Sequence, residues 1–235
     1  MNGMRKFIYK VLNHVLYSGK FGEVGLRKNL FSYLPNTPMN YIDVGAFKGD
    51  FFEVLRKEKD LASVVLVEPQ KDLFEELKQK YGNDTSIELN NRLLSDKEEE
   101  MDFFIYEKKA TSSILPISKS VEQELQMQGS EKIQMKSCTL DQLVAGKFDR
   151  IDLLKIDVQG AELSILKGAA ETLKRTNQIW IEVSFRPIYT GSAVFNDIYS
   201  FLNDNGFILK TILEGYRSNE HELLQADCLF EKKHT

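Results

Sequence analysis

Four carboxylates stand at or near the ends of short apolar segments, where they could bind a ligand or accept a proton. Asp43 lies in YIDVG, Glu68 ends VVLVE, Asp157 follows LLKI, and Glu182 lies in IWIEV. Parallel strands end at the same edge of an open α/β sheet, and ligands bind in the crevice at that edge. A carboxylate there can hold an amino group, bind ribose hydroxyls or act as a general base.

The first of these segments runs into a glycine turn. Gly45 and Gly49 separate the apolar strand from a helical pattern that starts at Phe51. Glycine adopts backbone angles closed to other residues, so we expect the turn to expose N–H groups and to admit a ligand close to the main chain. A plain tight turn is the alternative. A P-loop is excluded because Gly49 and Asp50 follow Lys48, and the G-x-x-x-G spacing does not fit the dinucleotide fingerprint.

Charged residues on the following strands extend this site. The continuous apolar run 64–67 ends at Glu68, and an acid about 20 residues past a glycine turn is the established device for binding both hydroxyls of a ribose. Lys155, Asp157 and Glu182 lie in or beside other buried-type strands, where a charge needs a partner or a cavity. We expect these three groups to share the cleft, and a structural salt bridge is the alternative.

Composition indicates one compact domain without a nucleic-acid footprint. The chain has 235 residues, of which 42% are hydrophobic and 28% charged, and its net charge is −4. This is enough apolar material for a single core, and the charge argues against tracking a phosphate backbone. Two cysteines suggest neither a disulfide framework nor a metal site, so a reducing cytoplasm is expected. No apolar run is long enough to span a membrane.

Several motifs occur in a fixed order along roughly residues 40–213, and they are DVGAFKG, LVEP, LLSD, TLDQL and IDLLKIDVQGAELSILKGA followed by IWIEV. In these motifs the chain resembles the FkbM-type methyltransferases, a branch of the class I enzymes that use S-adenosylmethionine (SAM). LLKIDVQGAE is the most specific part of the resemblance. Phe47 stands where the family usually has Asn, and Gln159 stands where Glu is commoner.

The resemblance implies an α/β fold of the class I methyltransferase type, with a Rossmann-like sheet, helices on both faces and an antiparallel terminal hairpin. It also implies SAM as the cofactor and methylation of a hydroxyl group on a small-molecule acceptor, a sugar or related natural product. A non-catalytic module that binds nucleosides or SAM is the competing interpretation. The residues themselves favour only a nucleoside-bearing ligand.

Roles follow for individual residues, and Asp43 is expected to bind the amino-acid end of SAM. Asp96 is expected to receive the adenine amino group, with a solvated turn as the alternative. Asp157 is the first choice for an acceptor-side base, and Glu182 is the second. The hydroxyl-rich loop 111–113 either caps the cofactor or acceptor or is a polar turn. The predicted cofactor-binding residues are Asp43, Gly45, Ala46, Gly49, Glu68, Pro69, Leu94, Asp96 and Asp157.

The sequence divides into a helical extension, residues 1–38, and a methyltransferase domain, residues 39–235. Apolar residues between Phe7 and Leu16 recur at helical spacing among basic residues. A signal peptide is rejected because Asn13 and His14 interrupt the apolar run and no small-residue cleavage pattern follows. We expect this helix to pack on its own domain and to offer a route to a homo-oligomer, with contact to a membrane surface as the less favoured alternative.

No metal centre is predicted, because no two of the three histidines have ligand spacing. His221 is kept as a minor acceptor-side candidate. Periodicity also predicts the main elements of the chain. These are helices over 70–80, 118–128, 163–173 and 194–202, a helix capped by Thr139, strands at 87–89, 102–107, 133–138, 151–156 and 179–183, and a hairpin of 207–213 with 226–230.

Overall fold

The computed structural model describes residues 31–107, 109–119, 121–122, 130–213, 215, 217 and 222–233. Its centre is a seven-stranded sheet. The strands are β1 (Met39–Val44), β2 (Leu61–Val67), β3 (Ile87–Asn90), β7 (Ile151–Ile156), β8 (Thr176–Ser184), β9 (Phe207–Ile212) and β10 (Gln225–Lys232). They lie in the order β3-β2-β1-β7-β8-β10-β9. β10 runs antiparallel to β8 and β9, while the neighbouring pairs from β3 to β8 are parallel.

Helices cover both faces of this sheet because its strands are apolar on both sides. In β1, Tyr41 belongs to one hydrophobic core, and Ile42 belongs to the other. The helices are α1 (Asp50–Glu58), α2 (Lys71–Tyr81), α3 (Leu140–Leu143), α4 (Glu162–Lys167), α5 (Ala170–Lys174) and α6 (Phe195–Asp204). The Tyr41 core receives residues from α1 and α2, and the Ile42 core receives residues from α3 to α6.

An insertion between β3 and β7 forms a second, three-stranded sheet in the order β4-β6-β5. Its strands are β4 (Leu93–Leu94), β5 (Glu100–Tyr106) and β6 (Ser130–Cys138). β5 and β6 pair as antiparallel neighbours, and a 3-10 turn (Lys109–Thr111) follows β5. This turn starts the loop that carries the hydroxyl cluster predicted from the sequence.

Most of the expected elements are confirmed, with small shifts at their ends. Thr139 caps α3 through a capping box with Gln142, and the terminal hairpin pairs as predicted. The single helix expected over 163–173 is instead divided into α4 and α5 at Gly168. A Cβ at that position would stand 2.3 Å from the backbone oxygen of Ser95, so the break lets the insertion approach closely. The helix expected over 118–128 lies mostly outside the described residues.

The expected N-terminal helix lies outside the described residues, which begin at Phe31. Phe31 and Leu34 are buried in the same core as Tyr41, and the Phe31 ring lies 6.0 Å from the Trp180 ring. The Nε2 atom of Gln178 donates to the backbone oxygen of Tyr33. Residues just before β1 are therefore attached to the main sheet, while the boundary between residues 38 and 39 stays a prediction. Among the described helices, none has the length and apolar character needed to cross a membrane.

Candidate active site

Four charged residues lie in two adjacent rows on one face of the sheet, near the carboxyl-terminal ends of its parallel strands. Asp43 on β1 is opposite Lys155 on β7, and Glu182 on β8 is opposite Asp227 on β10. Side chains alternate between the two faces of a strand, so these residues share the face that carries Tyr41 and Trp180. The sheet order, which places β1, β7, β8 and β10 side by side, therefore assembles this group.

Lys155 links two of the carboxylates. Its side chain is 7% exposed, and its Nζ lies 3.1 Å from Asp43 Oδ1 and 3.5 Å from Asp157 Oδ2. Burial by itself would lower the pKa of Lys155, but the carboxylates of Asp43 and Asp157 outweigh burial and raise that pKa above its ordinary value. Lys155 is therefore a permanent cation, and its Nζ also lies 5.5 Å from the centre of the Phe51 ring.

Asp43 is enclosed by its own neighbours. Tyr41 Oη donates to Oδ2 at 2.7 Å, Lys155 Nζ donates to Oδ1 at 3.1 Å, and the side chain is 1% exposed. The arrangement suits a carboxylate that holds Lys155 in place. A direct contact between Asp43 and the amino end of a cofactor stays a prediction.

Asp157 differs from Asp43 because its side chain is 36% exposed. It follows the last residue of β7, and its Oδ1 accepts a hydrogen bond of 3.1 Å from Gln159 Nε2. With Lys155 near the other oxygen, both ends of the carboxylate have a fixed neighbour. A carboxylate oxygen can accept a second hydrogen bond, so Asp157 can also meet a group that enters the cleft.

Glu182 lies on β8, beside β10. Its Oε2 accepts hydrogen bonds from Gln159 Nε2 at 3.2 Å and from Gln225 Nε2 at 3.0 Å. Burial, followed by the charges of Asp157 and Asp227, raises the pKa of Glu182 well above its ordinary value. Glu182 is half-buried, and a carboxyl in this setting tends to keep its proton, which makes it a poor general base.

The glycine turn has the left-handed backbone that was predicted but a different use for it. Gly45 and Gly49 have φ values of 82° and 81°. A Cβ on Gly45 would lie 1.9 Å from the Asp157 backbone oxygen, and one on Gly49 would lie 2.8 Å from Tyr81 Oη. The missing side chains thus make room for the protein's own atoms, which is a structural reason for glycine at both positions.

The expectation that this turn exposes its N–H groups is wrong for four of them. The amides of Gly45 and Ala46 donate to the Val67 carbonyl, and the amide of Gly49 donates to the Ala46 carbonyl. The Phe47 amide donates to Glu68 Oε2 at 2.9 Å. These donors are satisfied by β2 and by the turn itself, so the turn is tied to the end of the second strand. Phe47 adopts φ of 52°, a region in which Asn is more readily accommodated.

Glu68 connects the glycine turn to α2. Its two oxygens accept hydrogen bonds of 2.9 Å from the Phe47 amide and from the Gln70 amide, and the residue is 3% exposed. Burial raises the pKa of Glu68 to about 7, although the two backbone donors oppose this change. Asn91 Nδ2 donates to the backbone oxygens of Glu68 and Pro69. Glu68 thus lies at the expected strand end, and each of its oxygens retains capacity for one further donor.

The hydroxyl-rich loop predicted from the sequence spans the strand ends. Ser112 Oγ donates to Gln70 Oε1 at 3.2 Å, and Ser113 Oγ donates to the Gln159 backbone oxygen at 2.7 Å. Gln70 Nε2 donates to the backbone oxygen of Lys109, at the start of the loop. The loop is thus attached beside Glu68 at one end and beside Asp157 at the other. Whether it covers a ligand stays a prediction.

Four other predicted cofactor-binding residues differ in how far they are exposed. Leu94 is 3% exposed within the core beneath α4, while Asp96 is exposed, and its amide donates to Ser164 Oγ at 3.1 Å. Ala46 is buried in the glycine turn, and Pro69 is half-buried after β2. The roles of these four residues in binding the cofactor remain predictions.

Several residues of the site were missed by the sequence reasoning. Tyr189, Gln225 and Glu162 carry no motif outside the family resemblance. Glu162 accepts from the Gly160 amide at 3.0 Å, and burial raises its pKa to about 7. Asp227 could have been found, because an acid inside an apolar strand signals a cavity or a partner, as it did for Glu182. His221 lies outside the described residues, and among those described no cluster of three His, Cys, Asp or Glu could hold a metal ion.

Comparison with solved structures supports the class I fold. The chain shares 10% identity and a TM-score of 0.53 with a proposed SAM-dependent methyltransferase from Listeria monocytogenes, covering 92% of this chain and 100% of the other. It shares 11% identity and a TM-score of 0.51 with a ribosomal protein L11 methylase from Lactobacillus delbrueckii subsp. bulgaricus, covering 90% and 78%. At such identities the similarity establishes the fold alone.

Two further comparisons concern the family. Methyltransferase FkbM from Methylobacillus flagellatus KT shares 15% identity and a TM-score of 0.49, covering 83% of this chain, which spans 43% of that protein. No curated protein matches the chain. The sequence profile of the methyltransferase FkbM domain matches residues 43–209, which include the end of β1, all of β2, β7 and β8, and every carboxylate predicted from the sequence. The chain belongs to the FkbM methyltransferase family, whose cofactor is S-adenosylmethionine.

Proposed function

We propose that this protein transfers the methyl group of SAM to a hydroxyl of a small acceptor, a saccharide or a related natural product. Family membership supports methyl transfer, and the resemblance on which the acceptor class rests is the one described for the sequence. The fold does not choose the acceptor, since a structural neighbour is a ribosomal protein methylase. Cys138 and Cys228 are both free thiols, which suits a cytoplasmic location.

The residues present fit the chemical groups of SAM. Each Glu68 oxygen accepts one backbone hydrogen bond and can accept another from a ribose hydroxyl. Asp43 is assigned to the amino-acid end, and Lys155 connects it to the partly exposed carboxylate of Asp157. Ala46 and Pro69 flank Glu68, and Leu94 with Asp96 complete the proposed set on the adenine side. When bound, SAM supplies an activated methyl group on a sulfonium, so the protein must chiefly align the acceptor.

The observation that carries the acceptor side is the contrast between Asp157 and Glu182. Asp157 is partly exposed, and its two oxygens are held by Lys155 and Gln159. Glu182 is held by two amides in surroundings that raise its pKa. Asp157 is therefore the better group to take the hydroxyl proton as the acceptor is methylated. Glu182 then has a structural role, in which its carboxyl holds the side-chain amides of Gln159 and Gln225 by hydrogen bonds.

Asp157→Asn tests this assignment because it keeps the size of the side chain and removes its basicity. We expect methyl transfer to fall by about 100-fold, with little change in SAM affinity. The assay follows labelled methyl from SAM into a panel of saccharides and hydroxylated small molecules, with calorimetry for SAM binding. Asp152→Asn is the matched control. It alters the same strand, but Asp152 contacts Asn40 and Arg150 rather than the cleft.

Other outcomes would change the proposal in distinct ways. Loss of SAM binding in Asp157→Asn would make this residue a donor contact instead of a base. A lower folding stability with unchanged turnover and unchanged SAM affinity would make Lys155 and Asp157 a structural pair. SAM binding without methyl transfer to any acceptor in the wild-type protein would favour the non-catalytic module.

A further inference from the structure

Gln159 uses every polar atom of its side chain inside the candidate site. Its Nε2 donates to Asp157 Oδ1 at 3.1 Å and to Glu182 Oε2 at 3.2 Å. Its Oε1 accepts from Tyr189 Oη at 3.1 Å. An amide carries two hydrogens and an acceptor on one planar group, so a single side chain can satisfy these three partners together. The residue is only 9% exposed, which makes water a poor substitute for any of them.

The backbone of Gln159 is also attached to the loop 111–113, because Ser113 Oγ donates to the Gln159 carbonyl at 2.7 Å. Tyr189 Oη shares its single hydrogen between Gln159 Oε1 and the Thr111 carbonyl, which lies 3.0 Å away. Gln159 also adopts φ of 60°, a left-handed conformation that is unfavourable for a residue other than glycine. Such a backbone persists only where surrounding contacts determine it, and here those contacts come from the loop 111–113 and from Tyr189.

We propose that Gln159 is a positioning residue that fixes Asp157 and Glu182 relative to each other and ties both to the loop 111–113. Its significance for catalysis rests on the proposed methyl transfer. With Lys155 near Oδ2 and Gln159 bonded to Oδ1, the plane of the Asp157 carboxylate is set by two donors on different elements. In this chain Nε2 of Gln159 donates to both carboxylates. The glutamate that is commoner at this position in the family would bring a third carboxylate within hydrogen-bonding distance of these two, where like charges repel.

Glu182 provides a way to observe this arrangement without an acceptor. The charged or titratable groups that act on it come from four elements and are Lys155 on β7, Asp157 after β7, Glu162 on α4, Asp227 on β10 and Tyr189 after β8. Lys155 favours the ionised form of Glu182, and the three acids oppose it. Loss of the Gln159 donor should therefore stabilise the protonated form further, since one of the two amides on Oε2 would be gone.

The experiment compares Gln159→Met, which deletes the donors without adding charge, with Gln159→Glu, which replaces them by a carboxylate. Carbon-13 NMR of labelled glutamate carboxyls follows the titration of Glu182 in each protein. We expect the midpoint for Glu182 to rise by about half a pH unit in the Met variant and by about one unit or more in the Glu variant. Gln178→Met is the matched control, a buried amide on the same strand as Glu182 that donates to Tyr33, and it should leave the midpoint in place.

Turnover supplies the second measurement. With an acceptor that the wild-type protein methylates, we expect kcat to fall about tenfold or more in both Gln159 variants, while KM for SAM stays within about threefold. An unchanged Glu182 midpoint in a folded Gln159 variant would overturn the proposal. If the Glu variant does not fold, the Met variant decides.

The two proposals fail separately. A shifted Glu182 midpoint in a protein that methylates no acceptor would support the arrangement and reject the proposed function. Methyl transfer with an unchanged midpoint would reject the role of Gln159 and leave the function intact.

Discussion

Glu68→Gln should make the stability of the protein less dependent on pH. Glu68 is 3% exposed, and burial raises its pKa from an ordinary 4.5 to about 7. Between these values the unfolded chain has released the proton while the folded chain still holds it. The stabilising contribution is therefore complete below pH 4.5 and is lost as the pH rises through 7. A difference of about 2.5 pH units corresponds to about 3 kcal/mol.

Chemical denaturation at pH 5 and pH 8 measures this contribution. We expect the free energy of unfolding to fall between these pH values by about 2–3 kcal/mol more in the wild-type protein than in Glu68→Gln. This double difference compares the two proteins in how much their free energy of unfolding changes with pH. The free energy lost with a hydrogen bond to the Phe47 or Gln70 amide cancels in it, because that loss is about the same at both pH values. Glu75→Gln, on the exposed side of α2, is the matched control. It should give a double difference near zero, because an exposed carboxyl meets water in both states.

A double difference within about 0.5 kcal/mol of zero for Glu68→Gln would refute the reasoning. It would mean that water reaches the carboxyl, or that the two backbone amides offset burial completely.

Three further predictions concern Lys155, Gly45 and Glu68. Lys155→Met should destabilise the fold by about 3–5 kcal/mol in denaturation, because it leaves the buried Asp43 carboxylate without its cation, and adding Asp43→Asn should recover part of the loss. Gly45→Ala should cost clearly more stability than Gly146→Ala. Both glycines have positive φ, but a Cβ would stand 1.9 Å from a backbone oxygen at Gly45 and meets nothing within 4 Å at Gly146; equal losses would contradict this. Glu68→Ala should weaken SAM binding by about 1.5–3 kcal/mol in calorimetry. If that variant still discriminates against an analogue without ribose hydroxyls, Glu68 does not bind the ribose.

The main strands and the ends of several helices could be predicted because their signals are local. The continuous apolar run 64–67 marks β2, four apolar residues mark β7 although Asp152 and Lys155 lie among them, and Thr139 marks the start of α3. Gly168 indicated a local weak point in the helix over 163–173, but the full division into two helices was not predicted, and the close approach of the Ser95 backbone to Gly168 involves a distant part of the chain. The type of sheet came from the family resemblance, and the order of the strands came only from the structure, because periodicity does not reveal which strands are neighbours.

The sequence by itself determined which carboxylates lie at strand ends, and it marked the left-handed turn at Gly45 and Gly49. Only the tertiary structure decided what those groups contact. Gln159 meets Glu182 across 23 residues of chain, Gln225 meets Glu182 across 43, and Ser112 meets Gln70 across 42. Partly exposed Asp157 and enclosed Asp43 are both acids beside Lys155, and they differ because Tyr41 and the surrounding core cover only one of them. Strand ends follow from local patterns of apolar residues, whereas burial and hydrogen-bond partners depend on segments that meet only when the whole sheet has formed.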